Sequence, residues 1–295
     1  MAELKNELSW SISRDRIFKD CRRAYYYQYY QAWGGWNDDA PEDARKAYIL
    51  KNVRSIDIWI GDIIHQIIAW VMREKKQGTH IEFKRASEQT LKMLKRTWTQ
   101  SSHQWWKNNV KANLNLFEHY YNVSPPQEEL RMKMEKAARC IRNFYGSGLP
   151  ESISAEQLVS IDEFDAFILN GVKVFAIPDL VVNNGRYVLY DWKTGQRSVK
   201  DVMQLSLYLL YAKHKWGVES EKIDIVPVYL NENDLNLEPV EASDGAEVIE
   251  YMLGSNQEMK EVLSDVENNT ADIAECPKTT ETFRCQNCKF KEICS

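Results

Sequence analysis

Residues 174–195, VFAIPDLVVNNGRYVLYDWKTG, constrain this chain more than any other stretch. Two apolar, β-rich runs flank Asn183-Asn184-Gly185, and Asn-Gly between such runs predicts a β-hairpin. Asp179 lies in the first run and Asp191 closes the second. Lys193 follows two residues later, so an extended strand projects Asp191 and Lys193 from one face. Two acids and a lysine gathered beside a hairpin can hold a divalent cation and a polarised water.

The flanking sequence predicts what surrounds that hairpin. Residues 8–33 read as a helix capped by Ser11 or Ser13, with Ile17, Phe18 and Tyr25 at helical spacing and Cys21 inside it. A loop rich in Gly, Asp and Pro follows at 34–44. A second helix starts near Lys46 and runs, with a break, through residues 58–70, where Ile60, Ile64, Ile67, Ile68 and Val71 form a wide buried face. His65 sits beside that face, and taken alone it reads as a satisfied core histidine. Residues 84–121 and 128–145 predict two or three helices, separated by Pro125-Pro126, in which basic residues alternate with Trp98, Trp105, Trp106 and Phe117. That alternation suits stacking and phosphate neutralisation on single-stranded nucleic acid, and equally a helical insertion with a basic surface. Residues 158–169 are expected as a strand that turns at Gly171 into the hairpin, giving a three-stranded meander with Glu163, Asp179 and Asp191. An amphipathic helix at 200–216, a strand at 224–230 and an acidic helix at 241–268 complete the order. The pattern is one α/β domain over residues 1–295, with a helical insertion at 75–150.

Charge is unevenly spread. The formal net charge is −5. Between residues 71 and 111 there are ten Lys and Arg against three Asp and Glu, whereas residues 232–275 carry thirteen acids and one lysine. The first tract is suited to a polyanion and the second to solvent or a protein partner. No apolar run approaches the ~18 residues of a membrane span. The charged start MAELKNELSW lacks the apolar core of a secretion signal, so a cytoplasmic location is expected. Six cysteines in a cytosolic chain point to metal before disulfides. Cys285-x2-Cys288-x5-Cys294 places three thiols close in sequence at 276–295, and Cys21 is the candidate fourth. Four thiolates suit either zinc or a [4Fe–4S] cluster.

Pro178-Asp179 and Asp191-Trp192-Lys193 together resemble the PD-(D/E)xK nuclease superfamily. Gln204 and Tyr208, four apart on one helical face, resemble the Gln-x-x-x-Tyr element of its RecB-like branch. His65 in GDIIHQII resembles that branch's early-helix metal ligand. The N-terminal Ser-x-Ser…Phe-x-x-Cys-x-x-x-Tyr pattern and the C-terminal cysteines resemble the iron–sulfur subgroup, which includes the AddB nuclease domain and CRISPR-associated adaptation nucleases. The resemblance leaves out residues 75–150 and 232–275. It implies a restriction-endonuclease-like core, a mixed central sheet flanked by helices, with a C-terminal tail stapled by a [4Fe–4S] cluster on Cys21, Cys285, Cys288 and Cys294. It also implies Mg²⁺ or Mn²⁺ held by Asp179, Asp191, the Trp192 carbonyl and His65. Lys193 would orient water or neutralise charge, Gln204 would position Lys193 or the phosphate, and Tyr208 would order Gln204 or the nucleic-acid backbone.

The function so implied is a deoxyribonuclease, an exonuclease or end-processing enzyme on single-stranded or frayed DNA, with a possible protein partner on 232–275. No Gly-x4-Gly-Lys-Ser/Thr phosphate loop occurs, so unwinding is not this chain's task. A non-catalytic nucleic-acid-binding or scaffold module is the alternative, as is a zinc-stapled assembly protein.

Overall fold

The hairpin forms around Gly185, whose φ of +100° few other residues adopt. Its amide donates to Asn183 Oδ1 at 2.9 Å. A computed structural model describes residues 5–123, 125–198, 200–241 and 245–294. Residues 1–4, residues 242–244 of the expected acidic helix and residue 295 of the cysteine tail lie outside the described residues.

Helices come first. α1 (Ile12–Asp20) is capped by Ser11, whose Oγ accepts from the Arg14 amide. Cys21 is extended and ends α1, so it lies between helices and not within one as expected. α2 (Arg22–Tyr26) follows, then α3 (Glu42–Lys51) and α4 (Ile56–Lys76). The expected break between the last two is Val53-Arg54, which pairs in parallel with Asn115-Leu116. α5 (Phe83–Ser102) and α6 (Gln127–Gly146) pack beside α4. The chain then enters the sheet with β1 (Leu158–Ile161), β2 (Ala166–Leu169), β3 (Val172–Phe175), β4 (Leu180–Asn183) and β5 (Tyr187–Lys193). α7 (Lys200–Trp216) leads to β6 (Ile223–Tyr229), and α8 (Ala246–Glu261) precedes the tail.

The central sheet has the order β1-β4-β5-β6. Its first two pairings are antiparallel and β5–β6 is parallel, so the sheet is mixed. The expected meander is corrected here. Residues 162–165 break the strand: Asp162 takes φ +49° and its amide donates to the Asp179 carbonyl at 3.0 Å. β2 and β3 therefore form a separate hairpin, and β4 pairs with β1 instead. The acidic stretch is also shorter than expected, with α8 ending at Glu261 and residues 263–265 pairing with 270–271.

Two cores sandwich the sheet. Ile60, Ile64, Ile67 and Phe144 pack on one face against Leu180, Val188 and Trp192. Phe18, Tyr25, Leu205, Leu209 and Met252 pack on the other against Val181, Leu189 and Ile225. Strand alternation separates the two sets, so Asp191 and Lys193 lie on the Leu189 face, toward α7. Trp98 packs against Trp59 and His119, and Trp106 against Tyr120. No helix among the described residues is long and apolar enough to cross a membrane.

The tail docks on the first helices through an apolar plug. Phe290 is buried against Tyr27, Leu50 and Val53. Tyr27 donates to the Ile293 carbonyl at 2.9 Å, Lys289 to the Lys51 carbonyl at 2.7 Å and Arg23 to the Cys276 carbonyl at 2.6 Å. Phe290→Ala should lower unfolding free energy by about 3 kcal/mol in urea titration. A change below about 1 kcal/mol would place the tail outside the cooperative unit.

Candidate active site

Asp191 belongs by position to an apolar face, and its burial sets the chemistry of the site. It is 3% exposed. Taking a carboxylate out of water disfavours its charge, and the neighbouring Asp179 adds to that effect while Lys193 opposes it. Its pKa rises to about 6. Three groups stabilise the ionised form. Lys193 Nζ stands 2.7 Å from Oδ2, Tyr208 OH lies 3.0 Å from Oδ1, and Gln204 Nε2 lies 3.3 Å from Oδ1. Oδ2 is shielded from solvent, and the Lys193 ammonium faces it as an ion pair.

α7 brings the two helical residues in. Gln204 Oε1 accepts from Lys193 Nζ at 2.7 Å, and its Nε2 donates to Tyr208 OH at 2.7 Å. Tyr208 also lies 3.1 Å from the Ile177 carbonyl. Burial, then the charges of Asp191 and Asp179, push its pKa well above the ordinary phenol value, so it remains a donor. The i, i+4 spacing on α7 therefore points both side chains at the end of β5.

α4 approaches from the opposite core. His65 Nδ1 lies 2.8 Å from Asp179 Oδ1, and Asp179 Oδ2 accepts from the Trp192 amide at 2.7 Å. Burial works against a charged His65, but Asp179, Asp191 and Asp62 outweigh it and raise its pKa. One turn earlier, a Cβ on Gly61 would stand 3.3 Å from Thr194 Oγ1. The bare glycine lets α4 run close to the end of β5, and His65 follows on the same face.

Asp179, Asp191, Lys193, Gln204, Tyr208 and His65 thus form one connected cluster, with the Trp192 backbone in it. Glu163 is exposed in the 162–165 loop, where its charge acts on Tyr211. Two contributors escaped the sequence reading. Asp201, one turn before Gln204, lies 3.6 Å from Lys193 Nζ and accepts from Tyr229 OH at 2.9 Å. Its i, i+3 spacing to Gln204 was the available signal. Tyr229 pairs with Lys193 across β5 and β6, a relation that only strand register supplies.

The donor set is hard oxygen and imidazole nitrogen, which suits Mg²⁺ or Mn²⁺. The buried Asp191 carboxylate, with Asp179 beside it and its Oδ2 met by Lys193 in place of water, fits a site built to gather cationic charge. The donors are paired with one another and not fanned about one point: among the described residues no group of three or more His, Cys, Asp or Glu is arranged to hold a metal. That holds for the cysteines too. They are free thiols, and Cys21, Cys285 and Cys294 all act electrostatically on Cys288, so the fold brings the four into one neighbourhood. Burial raises the pKa of Cys288 and Cys294.

The family model of the PD-(D/E)XK nuclease superfamily matches residues 9–295. The chain belongs to that superfamily. Pro178-Asp179 and Asp191-Trp192-Lys193 spell out the residues for which the PD-(D/E)XK nucleases are named. The mixed sheet between helices agrees with a restriction-endonuclease-like fold. No curated protein matches the chain.

Because folding raises the pKa of Asp191, the native state binds that proton more tightly than the unfolded chain. The group is neutral to stability below the unfolded value near 4, and its cost builds up between pH 4 and 6 and stays constant above about 6. In chelator, Asp191→Asn should match the wild-type protein near pH 4, gain on it from pH 4 to 6, and unfold up to about 3 kcal/mol later at pH 8. Denaturant titrations across that range check the sign. Added Mg²⁺ should stabilise only the wild-type protein.

Proposed function

We propose that the protein is a metal-dependent nuclease that hydrolyses phosphodiester bonds in DNA. The observation that carries this reading is the buried Asp191 carboxylate, shielded from water, ion-paired with the Lys193 ammonium at 2.7 Å and neighboured by Asp179. When bound, Mg²⁺ or Mn²⁺ supplies Lewis acidity to a phosphoryl oxygen and acidifies a water. Asp179, Asp191 and the Trp192 carbonyl are the proposed oxygen donors and His65 the nitrogen donor, which makes Mn²⁺ more competitive. Lys193 orients the attacking water or neutralises charge that develops on the phosphoryl oxygens. Gln204 aims the Lys193 ammonium through Oε1, and Tyr208 holds Gln204 and Asp191 in register. Asp201 offers Lys193 a second carboxylate at 3.6 Å.

The finer reading is a RecB-like, cytoplasmic exonuclease or end-processing enzyme on single-stranded or frayed DNA. Its support is the Gln204–Tyr208 spacing, the basic tract at 71–111 and the N- and C-terminal cysteine motifs. Residues 75–150 are the proposed insertion. Cys21, Cys285, Cys288 and Cys294 are proposed to hold a [4Fe–4S] cluster, with zinc as the alternative; the support is their spacing and the common neighbourhood in which they influence one another. The role is a staple between the chain's ends. The acidic 232–275 region is proposed to meet a protein partner, although Glu258 already pairs with Lys19 and Glu232 with Arg197.

Lys193→Ala and Asp191→Ala should each slow Mn²⁺-dependent degradation of end-labelled single strands by about 10²–10⁴-fold. Undiminished cleavage by both variants would sink the assignment. Salt-sensitive binding with no cleavage by the wild-type protein would favour the non-catalytic module. Iron with sulfide and visible charge-transfer absorbance is the expected content of the purified protein; a colourless, zinc-loaded protein would replace the cluster with zinc.

A further inference from the structure

The Ser-x-Ser motif takes no part in the cluster around Asp191, yet it borders it. A cavity of about 490 Å³ lies between the start of α1 and α7, lined by Ser9, Ser11, Ser13 and Arg14 on one side and by Gln204 and Tyr208 on the other. No Asp or Glu lines it among the described residues. Arg14 is 4% exposed. Its Nη1 donates to Ser9 Oγ at 2.8 Å and its Nε approaches Tyr25 OH at 3.3 Å, but Nη2 has no hydrogen-bond partner. Among the described residues no carboxylate pairs with it; its guanidinium lies over the Tyr29 ring at 4.2 Å instead. Aromatic faces offset only part of the cost of a buried cation, so this charge lacks an anion. The nine-residue α1 presents its N-terminus at the same cavity, adding amide dipoles of the same sign. Phe164, 76% exposed, stands at the cavity with its ring 4.9 Å from that of Phe175.

We propose that this cavity is a subsite for a backbone phosphate of single-stranded nucleic acid, one that neighbours the bond to be cut, with the adjoining base stacked on Phe164. The proposal rests on the nuclease reading above. Arg14 and the α1 N-terminus take the phosphate, Ser11 and Ser13 offer hydroxyls, and the shared wall of Gln204 and Tyr208 ties the strand's path to the catalytic cluster.

Ser13→Asp tests this without disturbing the fold, since Ser13 is exposed in the first turn of α1, where a carboxylate suits the helix dipole. Its melting temperature should equal or exceed that of the wild-type protein. Binding of a short single-stranded oligonucleotide in chelator should weaken at least about fivefold, and the slope of log affinity against log salt should fall by about 0.7, one phosphate's worth. Phe164→Ala should weaken the oligonucleotide at least about fivefold with the salt slope kept. Oligonucleotides with and without a 5′-phosphate separate the two sources of the ligand. A deficit seen only with the phosphorylated strand assigns a terminal phosphate, and a deficit on both assigns an internal phosphodiester. Equal affinity and equal salt slope for wild-type protein and Ser13→Asp overturn the subsite, while cleavage by the wild-type protein would leave the nuclease reading intact. If the wild-type protein binds no oligonucleotide, inorganic phosphate decides. A phosphate-induced rise in melting temperature that Ser13→Asp abolishes keeps the anion site and removes the nuclease reading; no such rise removes both.

Discussion

A carboxylate buried in a sheet layer is the constraint on which this structure depends. Asp191 continues the face that Val181 and Leu189 make apolar, and there its charge is costly. Lys193, Gln204 and Tyr208 converge on it because β5 and α7 are packed together by the same apolar residues. The core therefore does two things at once: it drives α7 onto the sheet and it excludes water from the acid. The raised pKa of Asp191 is the record of that conflict. Stability given up at such a place is characteristic of functional sites.

Position along the sheet then decides which elements meet the acid. β5 lies between an antiparallel and a parallel neighbour, and the parallel one, β6, sets Tyr229 beside Lys193. α4 runs close to the end of β5 at Gly61, where a Cβ would stand 3.3 Å from Thr194 Oγ1, and brings His65 to Asp179 from the other core. The tail adds a third tie. Phe290 seals against α3 and the Tyr27 turn, which gathers Cys285, Cys288 and Cys294 near Cys21.

Legibility followed the range of the interaction. Asp191 and Lys193 share a face by strand periodicity, and Gln204 and Tyr208 by helical periodicity, so their geometry could be read from spacing. α7 was predicted at its observed bounds for the same reason. Taken alone His65 reads as a core histidine, because its partner Asp179 is 114 residues away, and only the resemblance marks it as a ligand. The strand at 158–169 was misread because apolar content ran on through a backbone that turns at Asp162. For Trp98 and Trp106 the basic neighbours are visible in sequence and leave a nucleic-acid face and a plain helical insertion equally open, whereas the rings they pack against come from other elements.

Local order by itself determined the hairpin, the helix on which Gln204 and Tyr208 sit, the class of fold and the residue types of the site, since each rests on periods of two or 3.6 residues. Tertiary structure alone decided that β4 pairs with β1, that Asp201 and Tyr229 stand beside Lys193, and that no carboxylate among the described residues pairs with the buried Arg14 next to the same cluster. Those relations depend on strand register and on which helix covers which face. Both are settled by burying two cores at once, and no short window of sequence contains that information.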